Sequence, residues 1–147
     1  MKKKTTILIA DDEPDLLFVL KVYFEGRGFN VIACENGAQA LAEFKHYYDK
    51  FHFPCFCILD YRMDPTTNLD LDGRTLLVQG GLFSAVQILT LEPKTTVILF
   101  SGDIETAKNE IQRLKIDVLS RLTYIPKGGA SLVNTLLPFF SDDTMAA

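Results

Sequence analysis

Carboxylates recur in this chain directly after short apolar runs. Residues 5–10 (TTILIA) are followed by Asp11 and Asp12, and the run Cys57-Ile58-Leu59 is closed by Asp60. Such a run, ended by a polar residue, reads as a buried strand that delivers its last side chain to a sheet edge. Three carboxylates drawn to one small site repel one another, so the cluster is tolerable chiefly around a bound cation. An all-oxygen donor set suits Mg2+, which keeps several waters and also meets a phosphate. Ser101, after the run 96–100, offers a hydroxyl to a phosphoryl oxygen, and Lys127, after 122–125, offers a positive point charge to another. Asp60 is then the candidate nucleophile, since an Asp carboxylate can accept phosphate covalently.

Those side chains need strands to carry them. The apolar runs predict strands at 5–10, 30–34, 56–59, 96–100 and 122–125. Pro14 opens a helix over residues 14–27, which Gly26 and Gly28 stop. Asn36-Gly37 leads into a second helix over 38–48. A third, over 74–91, is crossed by Gly80-Gly81 and is expected to kink or split there. Between strand three and that helix, residues 63–72 read as a polar, turn-rich loop. Ile104, Ala107, Ile111 and Leu114 mark one apolar stripe of a fourth helix. Leu132, Val133, Leu136 and Leu137 mark the last, which Pro138 ends. Five strands alternating with five helices demand an α/β parallel sheet covered on both faces. Chemistry in such sheets collects beyond the carboxyl ends of the strands, where Asp11, Asp12, Asp60, Ser101 and Lys127 stand.

Composition agrees with one domain. The chain has 147 residues, 48% hydrophobic and 23% charged. A net charge of -4 without a clustered basic face argues against direct nucleic-acid binding. No stretch approaches the roughly 18 apolar residues of a membrane span. Lys2-Lys3-Lys4 does not start a signal peptide, because the apolar segment behind it is closed by Asp11 and Asp12. A cytoplasmic location is expected. Cys34, Cys55 and Cys57 are read as buried small hydrophobes, since one C-x-C without a second ligand pair makes no zinc site. His46 and His52 have no partner at a meaningful spacing.

Taken in order, these residues resemble the receiver domain of two-component response regulators. The resemblance rests on Asp11-Asp12 after strand one, Ile58-Leu59-Asp60 closing strand three, Asp72-Gly73 before helix three, Ser101 after strand four and Lys127 after strand five. It spans about residues 5–140, with residues 1–140 as the receiver domain and 141–147 as a short polar tail without an effector domain. The family implies a doubly wound, flavodoxin-like sheet of strand order 2-1-3-4-5. It implies phosphorylation of Asp60 by a phosphohistidine of a sensor histidine kinase or a histidine phosphotransfer protein. By the same resemblance Asp12 ligates Mg2+ directly, Asp11 largely through water, and the backbone carbonyl of Arg62 completes the protein ligands. Ser101 and Lys127 would hold the phosphoryl group. Tyr124 falls at the switch aromatic, so the surface of the fourth helix, fifth strand and fifth helix would change on activation. Such a module signals and is not an enzyme, though it assists its own phosphorylation and dephosphorylation.

Departures from the family pattern are equally specific. Pro126 precedes Lys127, whereas the family usually has proline after the lysine. The segments 60–73 and 73–101 are longer than usual, so the loop over the site and the third helix are expected to be remodelled. Arg62 and Asp103 flank the phosphate position and are expected to pair across it, screening the attacking water. Leu17, Phe18 and Val22 lie away from the sheet-facing residues Leu16, Val19, Leu20 and Phe24 of the first helix. They predict a surface for a phosphotransfer helix pair or a homodimer contact. Two other classes stand beside this reading: a receiver-like module that binds without phosphorylation, and a Mg2+-dependent phosphohydrolase. The hydrolases typically carry a second Asp two residues past the nucleophile, where this chain has Arg62.

Overall fold

Uninterrupted apolar runs make central strands, because a strand covered by helices on both sides exposes neither face. The computed structural model, which describes residues 5–51, 56–63, 66–71 and 73–126, has such strands in β1 (Thr6–Ala10), β3 (Phe56–Asp60) and β6 (Val97–Ser101). β2 (Asn30–Cys34) and β7 (Thr123–Pro126) form the two edges. The five run parallel in the order β2-β1-β3-β6-β7. Numbered among themselves, that is the expected 2-1-3-4-5 of a flavodoxin-like, doubly wound sheet.

Alternation along the strands sorts side chains into two cores. On one face Ile7, Ile9, Ile58, Ile98 and Phe100 meet Leu17, Leu20 and Phe24 of α1 (Pro14–Gly26). On the other, Leu8, Leu59, Val97 and Leu99 meet Phe44 of α2 (Gly37–Phe51), with Leu82 and Ile88 contributed further along the chain. Ala107 and Ile111 of α4 (Ile104–Leu114) close that layer, followed by a 3-10 turn at Asp117–Arg121. Burying one such side chain stabilises by about 1.5–3 kcal/mol, so slipping a strand by one residue would be costly. The strand ends are thereby aimed. Cys34 and Cys57 are buried, as expected of small hydrophobes. Cys55, His52, Lys127 and the expected fifth helix lie outside the described residues. Among the described residues, no helix is long and apolar enough to cross a membrane.

The stretch after β3 departs from expectation. It is neither an open loop nor the first half of a helix but an antiparallel hairpin, β4 (Thr67–Leu71) and β5 (Arg74–Val78). Leu71 pairs with Arg74 across the two-residue turn, and Gly73 there has φ 76, which glycine adopts without strain. Gly73 thus sits in a hairpin turn rather than in the lead-in to helix three, while Asp72 lies outside the described residues. Leu69 is buried and Leu76 packs against the core, while Thr75 donates to Asp70 Oδ1 across the ladder at 2.8 Å.

Helix α3 (Gly80–Leu91) starts at the glycine pair instead of being broken by it. Its first amides are satisfied by carbonyls just past β3: Gly80 N–H donates to Met63 O at 3.1 Å and Gly81 N–H to Tyr61 O at 3.3 Å. A Cβ on Gly80 would stand 2.7 Å from the Met63 oxygen, and one on Gly81 would overlap the Asp60 carbonyl. Close backbone approach, not flexibility, is what the pair provides.

Candidate functional site: an acidic cluster at the strand ends

At the carboxyl end of β1 the backbone continues in register for one more residue, Asp11 N–H donating to Cys34 O at 3.0 Å. That turns the Asp11 side chain inward, where it is fully buried and accepts from Glu13 N–H at 2.7 Å on Oδ1. Pro14 follows in the first turn of α1, leaving Asp12 exposed at the mouth of the site. Asp60 closes β3 and is 4% exposed. Its position is held by its pairing with Phe100 and by Tyr61 N–H donating to Phe100 O at 2.8 Å. Each of Asp11, Asp12 and Asp60 offers a carboxylate oxygen within 4.8 Å of the others. Three carboxylates at that spacing, two of them buried, could hold a hard divalent cation.

Ser101, 2% exposed, stands at the end of β6, one residue beyond the partner of Asp60. Its Oγ accepts from Asp103 N–H at 3.1 Å. Pro126 pairs with Ser101 at the end of β7; Lys127, next in the chain, lies outside the described residues. Arg62 is exposed. Asp103 commits its carboxylate to the first turn of α4, accepting from Thr106 N–H at 3.1 Å and Thr106 Oγ1 at 2.6 Å. These bonds, with a smaller contribution from Arg62, hold the Asp103 carboxyl below its ordinary value. Among the described residues no ion pair joins Arg62 to Asp103; their interaction is the longer-range one.

That cap has a pH signature. Because folding lowers the Asp103 pKa, its contribution is fully present above the unfolded value of 3.8 and is lost as pH falls through the folded value. The denaturation midpoint of the wild type is expected to fall more steeply than that of Asp103→Asn between about pH 5 and pH 3. The two curves should converge at the acid end.

Tyr124, on β7, is half-buried, which raises its phenol pKa, and Lys108 Nζ lies 5.5 Å from its ring centroid. On α1 the exposed face differs from the expected one by a rotation. Leu17 is buried at 8% exposure against the sheet, and Val19 takes its place outside at 55%, beside Phe18 at 66% and Val22 at 52%. The stripe Leu17, Leu20, Phe24 is the sheet-facing one, so Leu17 is withdrawn from the outer surface.

One residue beside the site carries no mark in the sequence. Tyr61, 2% exposed, donates its phenol hydrogen to a Glu110 carboxylate oxygen on α4. Burial first, and then Glu110, push its pKa well above the ordinary value of 10. Nothing local signals the pair, since its partners are 49 residues apart.

No family model matches the chain. Over 97 residues, 66% of its length, the chain is 33% identical to the response regulator GtcR of Aneurinibacillus migulanus, and the match spans 32% of that longer protein. In structure it is similar to the chemotaxis protein CheY4 of Vibrio cholerae, with a TM-score of 0.66 at 16% identity over 92% of this chain and 98% of that one. It is also similar to a chain of the CheX–CheY–BeF3–Mg2+ complex of Borrelia burgdorferi, with a TM-score of 0.64 at 21% identity over 94% and 90%.

Proposed function

With the fold of response-regulator receiver domains as the premise, we propose that this chain is the receiver module of a two-component phosphorelay, phosphorylated on Asp60 by a phosphohistidine. The donor would be a sensor histidine kinase or a histidine phosphotransfer protein. The observation that carries this reading is the convergence of Asp11, Asp12 and a buried Asp60 on one strand-end site. A Borrelia relative is held with BeF3 and Mg2+ in its complex, which supports it.

In the reaction an Asp60 carboxylate oxygen attacks phosphorus. The new P–O bond forms as the bond to the donor nitrogen breaks, and the imidazole leaves with the electron pair and takes its proton from solvent. Asp11, Asp12, Asp60 and the backbone carbonyl of Arg62 would hold Mg2+, which when bound neutralises charge on the phosphoryl oxygens. Ser101 donates its hydroxyl hydrogen to one phosphoryl oxygen, and Lys127 meets another. Arg62 and Asp103 flank the phosphoryl position, and Tyr124 follows Ser101 inward. The outcome is a population shift in the surface of α4, β7 and the chain beyond it. Incubation with Mg2+ and acetyl phosphate, followed by intact-mass measurement, tests the reading. A single added phosphoryl group is expected, and an unchanged mass would favour a module that binds without phosphorylation.

Phe18, Val19 and Val22 form the surface for the donor's helices. Phe18→Glu is expected to slow transfer from a phosphohistidine protein by tenfold or more, as befits loss of an aromatic that docking would bury, worth about 1.5–3 kcal/mol. Phosphorylation by acetyl phosphate should be unaffected. Equal slowing of both reactions, or of neither, would remove α1 from docking.

A further inference from the structure

Tyr61 follows Asp60 directly, and its side chain serves no need of the acidic cluster. Its backbone is fixed on both sides, donating to Phe100 O at 2.8 Å and accepting from Gly81 N–H at 3.3 Å. From this anchored position the phenol reaches the Glu110 carboxylate in the middle of α4. The helix is lightly seated, with Ala107 and Ile111 its buried residues. A second polar tie comes from the hairpin, whose Arg74 donates to the carbonyl of Leu114, the last residue of α4, at 3.5 Å. Between the hairpin and α4 lies a cavity of about 420 Å³ bordered by Tyr61, Leu77, Leu82, Glu110 and Leu114. One polar tie, Arg74 to Leu114, thus joins hairpin and helix beside this cavity, and Tyr61 ties the same helix to the end of β3.

The amino end of α4 is tied elsewhere. Asp103 caps it with its side chain and donates its N–H to Ser101 Oγ. Whatever draws Ser101 toward a group on Asp60 also pulls on the start of α4, while Tyr61 holds its middle. The two restraints act on different turns of the helix, and the cavity beside it leaves room for movement once the phenol lets go. A partly buried bond that must break before an element shifts makes two discrete positions rather than a continuum.

We propose that Tyr61 is a positioning residue: its bond to Glu110 holds α4 in the position seen here, and occupancy of the Asp60 site reaches α4 through release of that bond. This rests on the receiver reading above and adds to it a second connection, parallel to Ser101 and Tyr124. The inserted hairpin is the fixed wall against which the connection works.

Hydrogen exchange of the amides of residues 104–114, with and without beryllofluoride and Mg2+, tests the proposal in the wild type, Tyr61→Phe and Glu110→Ala. In the wild type, exchange in α4 is expected to quicken about tenfold when beryllofluoride binds, as loss of one charge-assisted hydrogen bond implies. In both variants α4 should exchange about tenfold faster from the start and respond little further, with beryllofluoride still bound and the amides of β1 and β6 unchanged. A wild-type-sized response of α4 in either variant overturns the proposal. So does faster exchange spread evenly over β1, β6 and α4, the sign of a merely structural role. A wild type that binds no beryllofluoride would instead overturn the receiver reading, and the inference with it.

Discussion

Asp60→Asn is expected to take up no phosphoryl group from acetyl phosphate in Mg2+, with the change read as the loss of the added mass. An amide oxygen of the same shape is a poor nucleophile and a weaker metal ligand, so chemistry is lost while the packing around β3 stays. The same substitution has an opposite effect on stability. In metal-free buffer it removes one of three carboxylates whose oxygens lie within 4.8 Å, two of them buried, and relieves their repulsion. The variant should then be more stable than the wild type by about 1 kcal/mol. Millimolar Mg2+ should narrow or reverse that difference, because a ligand bound by the native state alone stabilises it in proportion to its affinity. Thermal melts of both proteins with Mg2+ and with EDTA measure it. A wild type indifferent to Mg2+ would speak against a metal site.

Gly81→Ala is the second large effect, and two terms compete in it. Alanine is the better helix former by about 1 kcal/mol, which alone predicts a gain. The added methyl, however, would overlap the Asp60 carbonyl oxygen, a backbone atom held within the sheet. Backbone cannot swing aside as a long side chain can, so overpacking of about 1–3 kcal/mol or more wins and the variant is destabilised. The strain falls on the phosphoacceptor's own peptide, so phosphorylation should slow as well. Gly26→Ala is the control: nothing lies within 4 Å of the place its methyl would take at the end of α1, and it should be neutral or stabilising. Urea midpoints of the three proteins check the order.

The same glycines show where the fold is legible in the sequence and where it is not. The strands can be read because β1, β3 and β6 are uninterrupted apolar runs, and the end of β3 at Asp60 follows from the abrupt change of polarity. Gly80-Gly81 reads as a weakness within a helix, since propensity counts only what a residue does to its own backbone. The close approach to Asp60 and Met63 belongs to the tertiary structure. The hairpin does carry a local signal: Asp72-Gly73 between the near-alternating runs 67–71 and 74–78 is a strong mark of a two-residue β-turn. Family resemblance assigns the same dipeptide to the start of a helix, and the two readings compete. On α1, apolar residues on more than one stripe leave the sheet-facing side ambiguous by one residue, enough to exchange Leu17 for Val19. The bond from Tyr61 to Glu110 joins two elements far apart in the chain and is not legible at all.

Phosphorylation of this chain would bond phosphate to one particular carboxylate, and chemistry can read which. An acyl phosphate is reduced by borohydride to a primary alcohol with release of phosphate, whereas free carboxylates are untouched. After acetyl phosphate and Mg2+, borohydride treatment followed by peptide mass mapping should find homoserine in place of aspartate at position 60, and none after EDTA. Aspartate intact at position 60, or the reduced residue at Asp11 or Asp12 instead, would contradict it.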